Sequence, residues 1–489
     1  MPSGHNLSDR EHATAYDRIE SEISAERISR SLQGATHTPY WLDDPHRPAP
    51  LEALAGDTTA QLAVVGGGYS GLWTALIAKE RDPQRDVILL EGQRIGWAAS
   101  GRNGGFCDAS LVHGESNGEK HLPKENAKLG ELGLKNLAEI AQTIARYNMD
   151  VDFERVGTLN VAVNPHEVQW LEEMASSPED PNLLDAAGVR EQIDSPLFLG
   201  GFWDREETAL VNPAKLAWEL RRVCLELGVR IHEYTQVTGI ENAGDAVVLS
   251  TPNGRVRADK VALGTNVFPS LLKRNRLFTV PVYDHALMTG PLTPEQEAAI
   301  GWENHQGLAD LTNRFHYARP SRDADGRMRI LWGGYDAVYH FGRSMKPEYD
   351  NHEETYRKLA AHFLGTFPQL GEVEFTHAWG GAIDTCSRFF AFFDLAMGGK
   401  VASAAGFTGL GVGATRFGAE VMLDLLSGQE TELTRLEMVK KKPLPFPPEP
   451  VAWLGVQLMT RGLIKADRNE GKRGPFLKIM DAVGMGFDS

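Results

Sequence analysis

The sequence predicts an α/β domain built on a parallel sheet, interleaved along the chain with an α+β domain whose sheet is mainly antiparallel. Three observations predict it. Residues 61–91 read as strand, glycine turn, helix and strand; residues 404–426 repeat the glycine turn and helix at the far end of the chain; residues 281–395 alternate short apolar runs with turns.

In the first segment, the apolar run 62–65 enters Gly66-x-Gly68-x-x-Gly71, with Tyr69 and Ser70 inside the motif. A helical pattern places Leu72, Ala75, Leu76 and Lys79 on successive turns and stops at Asp82-Pro83. A second apolar run, 87–90, ends on Glu91. This is a βαβ unit of Rossmann type with the dinucleotide fingerprint in its first turn. Gly66 permits the tight turn, Gly68 lets a pyrophosphate approach the backbone, and Gly71 lets helix and strand pack closely. The helix N-terminus offers free N–H groups and positive dipole to phosphates. Glu91 at the strand end is placed to accept both ribose hydroxyls and would repel a 2′-phosphate, which argues against NADP. NAD and FAD both remain open at this point.

The 489 residues leave room for two or three domains, and 42% apolar with 24% charged residues is ordinary for a globular protein. A net charge of −16 argues against nucleic acid or an anionic membrane surface as partner and fits a cationic small substrate. The three cysteines, Cys107, Cys224 and Cys386, form no CxxC pair, which excludes a dithiol redox motif and suggests a reducing compartment. No apolar run reaches the length of a membrane span and the N-terminus is polar, so a cytoplasmic location is expected. No metal site is expected.

Residues 1–60 form an arm in which a helix over 12–32 carries Tyr16, Ile19, Ile23, Ile28 and Leu32 on one face. The arm covers either its own domain, the preferred reading, or a second subunit, which leaves a homodimer open. The α/β domain is assigned to 61–118, 205–280 and 396–430, the second domain to 119–204 and 281–395, and a surface tail to 431–489, whose bases are read as a solvated face. The stretch 96–105 holds four glycines with Ser100, Arg102 and Asn103 between them, ending on Gly104-Gly105. It cannot be helix interior or plain strand, and it suits contact with a cofactor's phosphates and ring. Helices are expected over 120–150 and 166–176. A helix from Pro213 to Leu227 leads to strands that include Val237 and Thr265, and this return of the chain suits a whole FAD better than NAD. Finally Gly406-Phe407-Thr408-Gly409-Leu410-Gly411-Val412 opens an apolar helix, a second anion or polar-ring site. Two such turns suit a cofactor with two ends.

Four segments, VVGGGYSGLWTA, ASGRNGG, HAWGGAID with the following Arg388, and GFTGLGVG, resemble the D-amino acid oxidase/glycine oxidase/sarcosine oxidase family of FAD enzymes. Within it the likeness is to the gamma-glutamylputrescine oxidase branch. The resemblance implies a glutathione-reductase-type FAD-binding domain and a substrate domain covering one face of the flavin. The position that carries a flavin-bonding cysteine in the sarcosine oxidases corresponds to Gly380, so noncovalent FAD is implied. The arginine that clamps the substrate carboxylate in the amino-acid oxidases corresponds to Ala382, so an amine is implied rather than an α-amino acid, with Arg388 as a possible substitute clamp.

The expected reaction converts a primary or secondary amine to an imine, then by hydrolysis to an aldehyde, with O2 reduced to hydrogen peroxide. His316, Tyr317 and His377 are candidates to line the substrate pocket, and Trp379 and Phe407 to wall the ring and the alkyl chain. The alternatives are a dehydrogenase passing electrons to a quinone or carrier, a non-catalytic flavin-stabilised interaction protein, and a monooxygenase. The last would need NAD(P)H, and no second complete fingerprint exists to hold it.

Overall fold

A computed structural model describes residues 13–485. The strand Thr58–Val65 is buried throughout its apolar 62–65 run, the pattern of a strand covered on both faces of a parallel sheet. It lies between the parallel strands Val87–Leu90 and Gly254–Leu263; beyond these lie Arg230–His232 on one side and Val401–Ala405 on the other, both also parallel. Val65 pairs with Leu90 and Leu263, so these three strands end level, and Val401–Ala405 runs two residues beyond the Leu263–Ser403 pair. Ligands of open α/β sheets bind outside that carboxyl edge.

The helix Tyr69–Arg81 is buried from Tyr69 to Lys79 because it is sandwiched on one face of the sheet, packed against Pro213–Glu226 and Gly411–Ser427. Pro213 opens the first of these partners, and Asn212 caps it by accepting from the Lys215 N–H. Gly428, in the left-handed conformation, closes the second. The antiparallel meander of Gly239–Ala243, Ala246–Thr251 and Gly254–Leu263 accompanies the opposite face and carries a separate apolar cluster.

The second sheet has nine strands, antiparallel except where Gly307–Asp310 runs parallel to Thr158–Ala162. Its long strands Thr279–Thr289 and Phe375–Cys386 pair along nearly their whole length, setting Tyr283 opposite Ala382, Asp284 opposite Gly381 and His285 opposite Gly380. The strand Phe392–Ala396, assigned by sequence to the second domain, instead pairs with Val401–Ala405 and extends the first sheet.

The arm is two helices, Ala15–Glu22 and Ala25–Leu32, rather than one. Ser24 breaks the run by accepting from the Arg27 N–H as a cap, which suits serine better than a helix interior. Residue 12 lies outside the described region. Both helices pack on Glu353–Thr366 of the same chain, and Tyr16 donates to the buried Asp310 at 2.7 Å, so the arm covers its own domain. In the tail, the basic stretch is not merely solvated: Lys442 pairs with Asp394 at 2.6 Å.

Candidate active site

A cavity of about 980 Å³ follows the carboxyl edge of the first sheet and reaches the second sheet between Asp284 and Tyr317. At its nucleotide end the backbone is packed without slack. Gly66 has φ +109°, and a Cβ there would stand 2.4 Å from the Gly264 carbonyl oxygen. A Cβ at Gly71 would fall 1.9 Å from the Gly66 carbonyl oxygen. Ser100 accepts from the Tyr69 N–H at 3.0 Å, and a Cβ on Gly68 would meet that same hydroxyl at 2.8 Å. Glu91 accepts from the Gly67 N–H at 2.6 Å, the Gln93 N–H at 2.7 Å and the Trp97 indole at 2.9 Å. Burial outweighs these donors and holds its carboxyl above the usual range. Val237 and Thr265 line the same end.

The second glycine turn faces the cavity from another side. Gly406 and Gly409 both have positive φ, and Asp384 gathers the turn, accepting from the N–H groups of Gly406 at 2.6 Å, Phe407 at 3.3 Å and Thr408 at 3.4 Å. Burial pushes the Asp384 carboxyl up to about 6, against the effect of those donors. The N-cap residues Gly68 and Leu410 make no side-chain cap, and Ser100 takes only the Tyr69 N–H, so two helix N-termini with free first-turn N–H groups face one cavity.

The 96–105 loop forms a shared wall. Asn103 ties it internally by donating to the carbonyls of Ala99 and Ser100 and accepting from the Gly105 N–H. Trp379 donates to the Arg102 carbonyl at 2.8 Å and Trp41 to the Asn103 carbonyl at 3.0 Å. The Arg102 guanidinium is committed to Asp350, at 2.5 Å, and to the Gly380 and Trp97 carbonyls. Gly104 lies against the Tyr317 ring, 2.7 Å from where its Cβ would be. Tyr317 in turn donates to Asp284 at 2.8 Å.

A sequence profile described as FAD dependent oxidoreductase (DAO) matches residues 61–425, a span that contains both glycine turns and the shared wall. The chain belongs to this family. It is an FAD-dependent oxidoreductase, and thus an enzyme. Gamma-glutamylputrescine oxidoreductase of Escherichia coli is 29% identical over 83% of this chain and 92% of that protein. A probable oxidoreductase of Haemophilus influenzae is 25% identical over 82% of this chain and 90% of its own. Glycine oxidase of Geobacillus kaustophilus shares the fold, with a TM-score of 0.65, 17% identity, and coverage of 79% of this chain and 99% of that one.

The residues of this DAO-family chain fit FAD. Ser70 lies in the first helical turn on the cavity wall, and Gly68 before it has no side chain to screen the turn's N–H groups from a phosphate. A side chain at position 68 would crowd the floor beneath it. At the other turn the N-terminus of Gly411–Ser427 would offer N–H donors to the flavin ring.

Most of the sequence-derived cofactor residues line the cavity: Gly66, Gly68, Tyr69 and Ser70, Glu91, Ser100, Arg102, Asn103 and Gly104, Val237, Thr265, and Gly409 to Val412. Gly71, Gly105 and Gly406 stand behind the wall, where a side chain would strike the Gly66 carbonyl, the Val211 carbonyl and Cys386 respectively. Arg102, expected among the cofactor contacts, has its guanidinium paired with Asp350 at 2.5 Å. Of the substrate-pocket candidates, Tyr317, Trp379 and Phe407 line the cavity.

His316, His377 and Arg388 do not. His316 follows strand alternation to the opposite face from Tyr317, where it bonds Asp310 at 2.8 Å and His362 at 2.9 Å. His377 lies under the linker, paired with Asp43 at 3.2 Å. Arg388 is buried beyond the strand end and donates to the main-chain carbonyls of Phe390, Ala391, Met438 and Lys441. Sequence reasoning passed over Asp284 and gave no role to Asp384. The available signal was an acid inside a largely apolar strand at 284, and one three residues after the Gly380-Gly381 pair at 384.

Proposed function

We propose that this enzyme oxidises the C–N bond of a primary or secondary amine of gamma-glutamylputrescine type to an imine, which water hydrolyses to an aldehyde, with O2 reduced to hydrogen peroxide. FAD supplies the two-electron acceptor; the chain binds the amine, excludes water and directs the reacting carbon. The observation that carries the reading is the charge at the substrate end: a carboxylate, Asp284, without a free guanidinium beside it. Of the two arginines on the cavity wall, Arg102 is locked by Asp350, and Arg276 sits at the exposed edge donating to the Ser270 carbonyl. Ala382, on the wall, offers no carboxylate clamp. The relation to gamma-glutamylputrescine oxidoreductase supports the same substrate class. Trp379, Phe407 and Tyr317 supply aromatic walls for an alkyl chain.

In an oxygen electrode, gamma-glutamylputrescine and simple alkylamines should drive oxygen uptake with stoichiometric peroxide, and glycine and D-amino acids should not. Oxygen uptake with amino acids alone sinks the amine reading; amine-dependent reduction of a quinone dye without oxygen uptake makes the enzyme a dehydrogenase.

FAD is proposed to be held without a covalent bond. None of the three cysteines lines the cavity and all are buried, while a Cβ at Gly380 would already lie 2.5 Å from the His285 ring. Acid precipitation should therefore leave the flavin in the supernatant; a yellow pellet contradicts this.

A further inference from the structure

We infer that Asp284, oriented by Tyr317, is the counter-ion that anchors the substrate's ammonium group and sets the enzyme's preference for cations, an inference that rests on the amine reading above. Asp284 sits in the strand Thr279–Thr289, on the face that looks into the cavity. One carboxylate oxygen accepts from the Tyr317 hydroxyl at 2.8 Å, the other from the His285 N–H at 2.8 Å. Neither donor carries a charge. No lysine, arginine or histidine among the described residues forms an ion pair with Asp284, although it stands on the cavity wall. An ionised carboxylate in such surroundings is costly without a cation, and a ligand that brings one removes that cost.

The neighbours leave the place for that cation in the cavity. The paired strand contributes Gly381 and Ala382, neither of which can ionise. The strand Met328–Gly334 contributes Gly333, against which the Tyr317 ring packs, and Gly334. Tyr283 and His285 point to the other face of their strand by alternation, His285 toward His352 and Tyr356. Arg102 reaches the cavity from the 96–105 loop but is held by Asp350. Tyr317 is therefore the titratable side chain in contact with Asp284, and burial raises its own pKa well beyond the neutral range. Its ring, pressed on Gly104 and edge-on to Phe106 at 5.9 Å, cannot swing away, so the hydroxyl fixes the direction of the carboxylate.

Burial pushes the Asp284 carboxyl up to about 6. It is ionised above that pH and neutral below it, so cation binding should be full near neutrality and fade as pH falls through about 6. The Tyr317 hydroxyl favours the ionised form, so removing it moves the midpoint upward.

The test uses the FAD-loaded enzyme and tert-butylammonium, which has no hydrogen on the carbon bearing nitrogen and cannot be oxidised, with tert-butanol as the uncharged control. Binding is read by calorimetry and by perturbation of the flavin spectrum. Wild type should bind the cation in preference to the alcohol, with an acid limb near pH 6. Asp284→Asn should weaken cation binding roughly tenfold or more and abolish the limb. Tyr317→Phe should keep binding at high pH but shift the limb upward, which a purely structural role for the tyrosine would not do. Flavin content and melting temperature report on folding of each variant, and the wild-type pH profile needs no substitution at all. Equal binding by Asp284→Asn, a flat wild-type profile from about pH 5 to 8, or no preference for the cation overturns the inference. If amines still bleach the wild-type flavin in that case, the amine reading stands without it; if the cation binds through Asp284 but no amine is oxidised, the reverse holds.

Discussion

Gly71→Ala should yield a protein that folds poorly and holds less than about a tenth of the wild-type flavin. The added Cβ would lie 1.9 Å from the Gly66 carbonyl oxygen and 3.2 Å from Val64. The nearer atom is backbone in a turn already pinned against Gly264, so nothing can rotate away. Overpacking of this kind costs about 1–3 kcal/mol, and the helix-propensity gain of about 1 kcal/mol for alanine over glycine does not offset its upper range. The larger consequence is geometric: relief requires the helix to move off the strand, which carries its first-turn N–H groups away from the cavity edge where FAD phosphates would bind. Gly130→Ala is the control. Gly130 lies within the helix Asn126–Arg146 with nothing within 4 Å of its Cβ position, so it should keep its flavin and gain up to about 1 kcal/mol. The ratio of flavin to protein absorbance, with a thermal melt, reads both. Full flavin occupancy in Gly71→Ala would mean the turn is not the nucleotide end.

Asp384→Ala should cost roughly 2–5 kcal/mol and most of the turnover of whatever flavin remains bound. Three N–H groups of the second glycine turn lose their acceptor in a buried place, and the turn they define carries Phe407 and the start of Gly411–Ser427. Asp384→Asn keeps one acceptor oxygen of the same shape and should lose much less. An alanine variant as stable and as active per flavin as wild type would mean that these three bonds do not hold the turn. Chemical denaturation and kcat per bound flavin separate the two.

Much of the nucleotide half was legible in the sequence because each of its elements is a local pattern. Strand, glycine turn, helix and Glu91 follow one another within some thirty residues, and the second turn is read the same way. The substrate end was legible only in part because it depends on pairings between distant segments. Strand alternation says that His316 and Tyr317 face opposite ways, but which of them meets the cavity is decided by how their strand pairs and by the arm helices that cover the other face. Asp284 acquires its meaning from Gly381 opposite it, about a hundred residues away, which places no charge beside it. Arg388 could not be told from a ligand-binding arginine because two of its partners are main-chain carbonyls some fifty residues downstream, in the tail. The break of the arm at Ser24, by contrast, was available as a local capping signal.

The most direct test of the central claim is a single anaerobic mixing of the yellow enzyme with gamma-glutamylputrescine, followed at the flavin absorbance band, beside the same mixing with glycine and a D-amino acid. Rapid bleaching by the amine alone, with colour and peroxide returning when air is admitted, is the predicted result. Bleaching by the amino acids and not by the amine would contradict it, and would mean that a carboxylate clamp exists where Asp284 and Ala382 leave none.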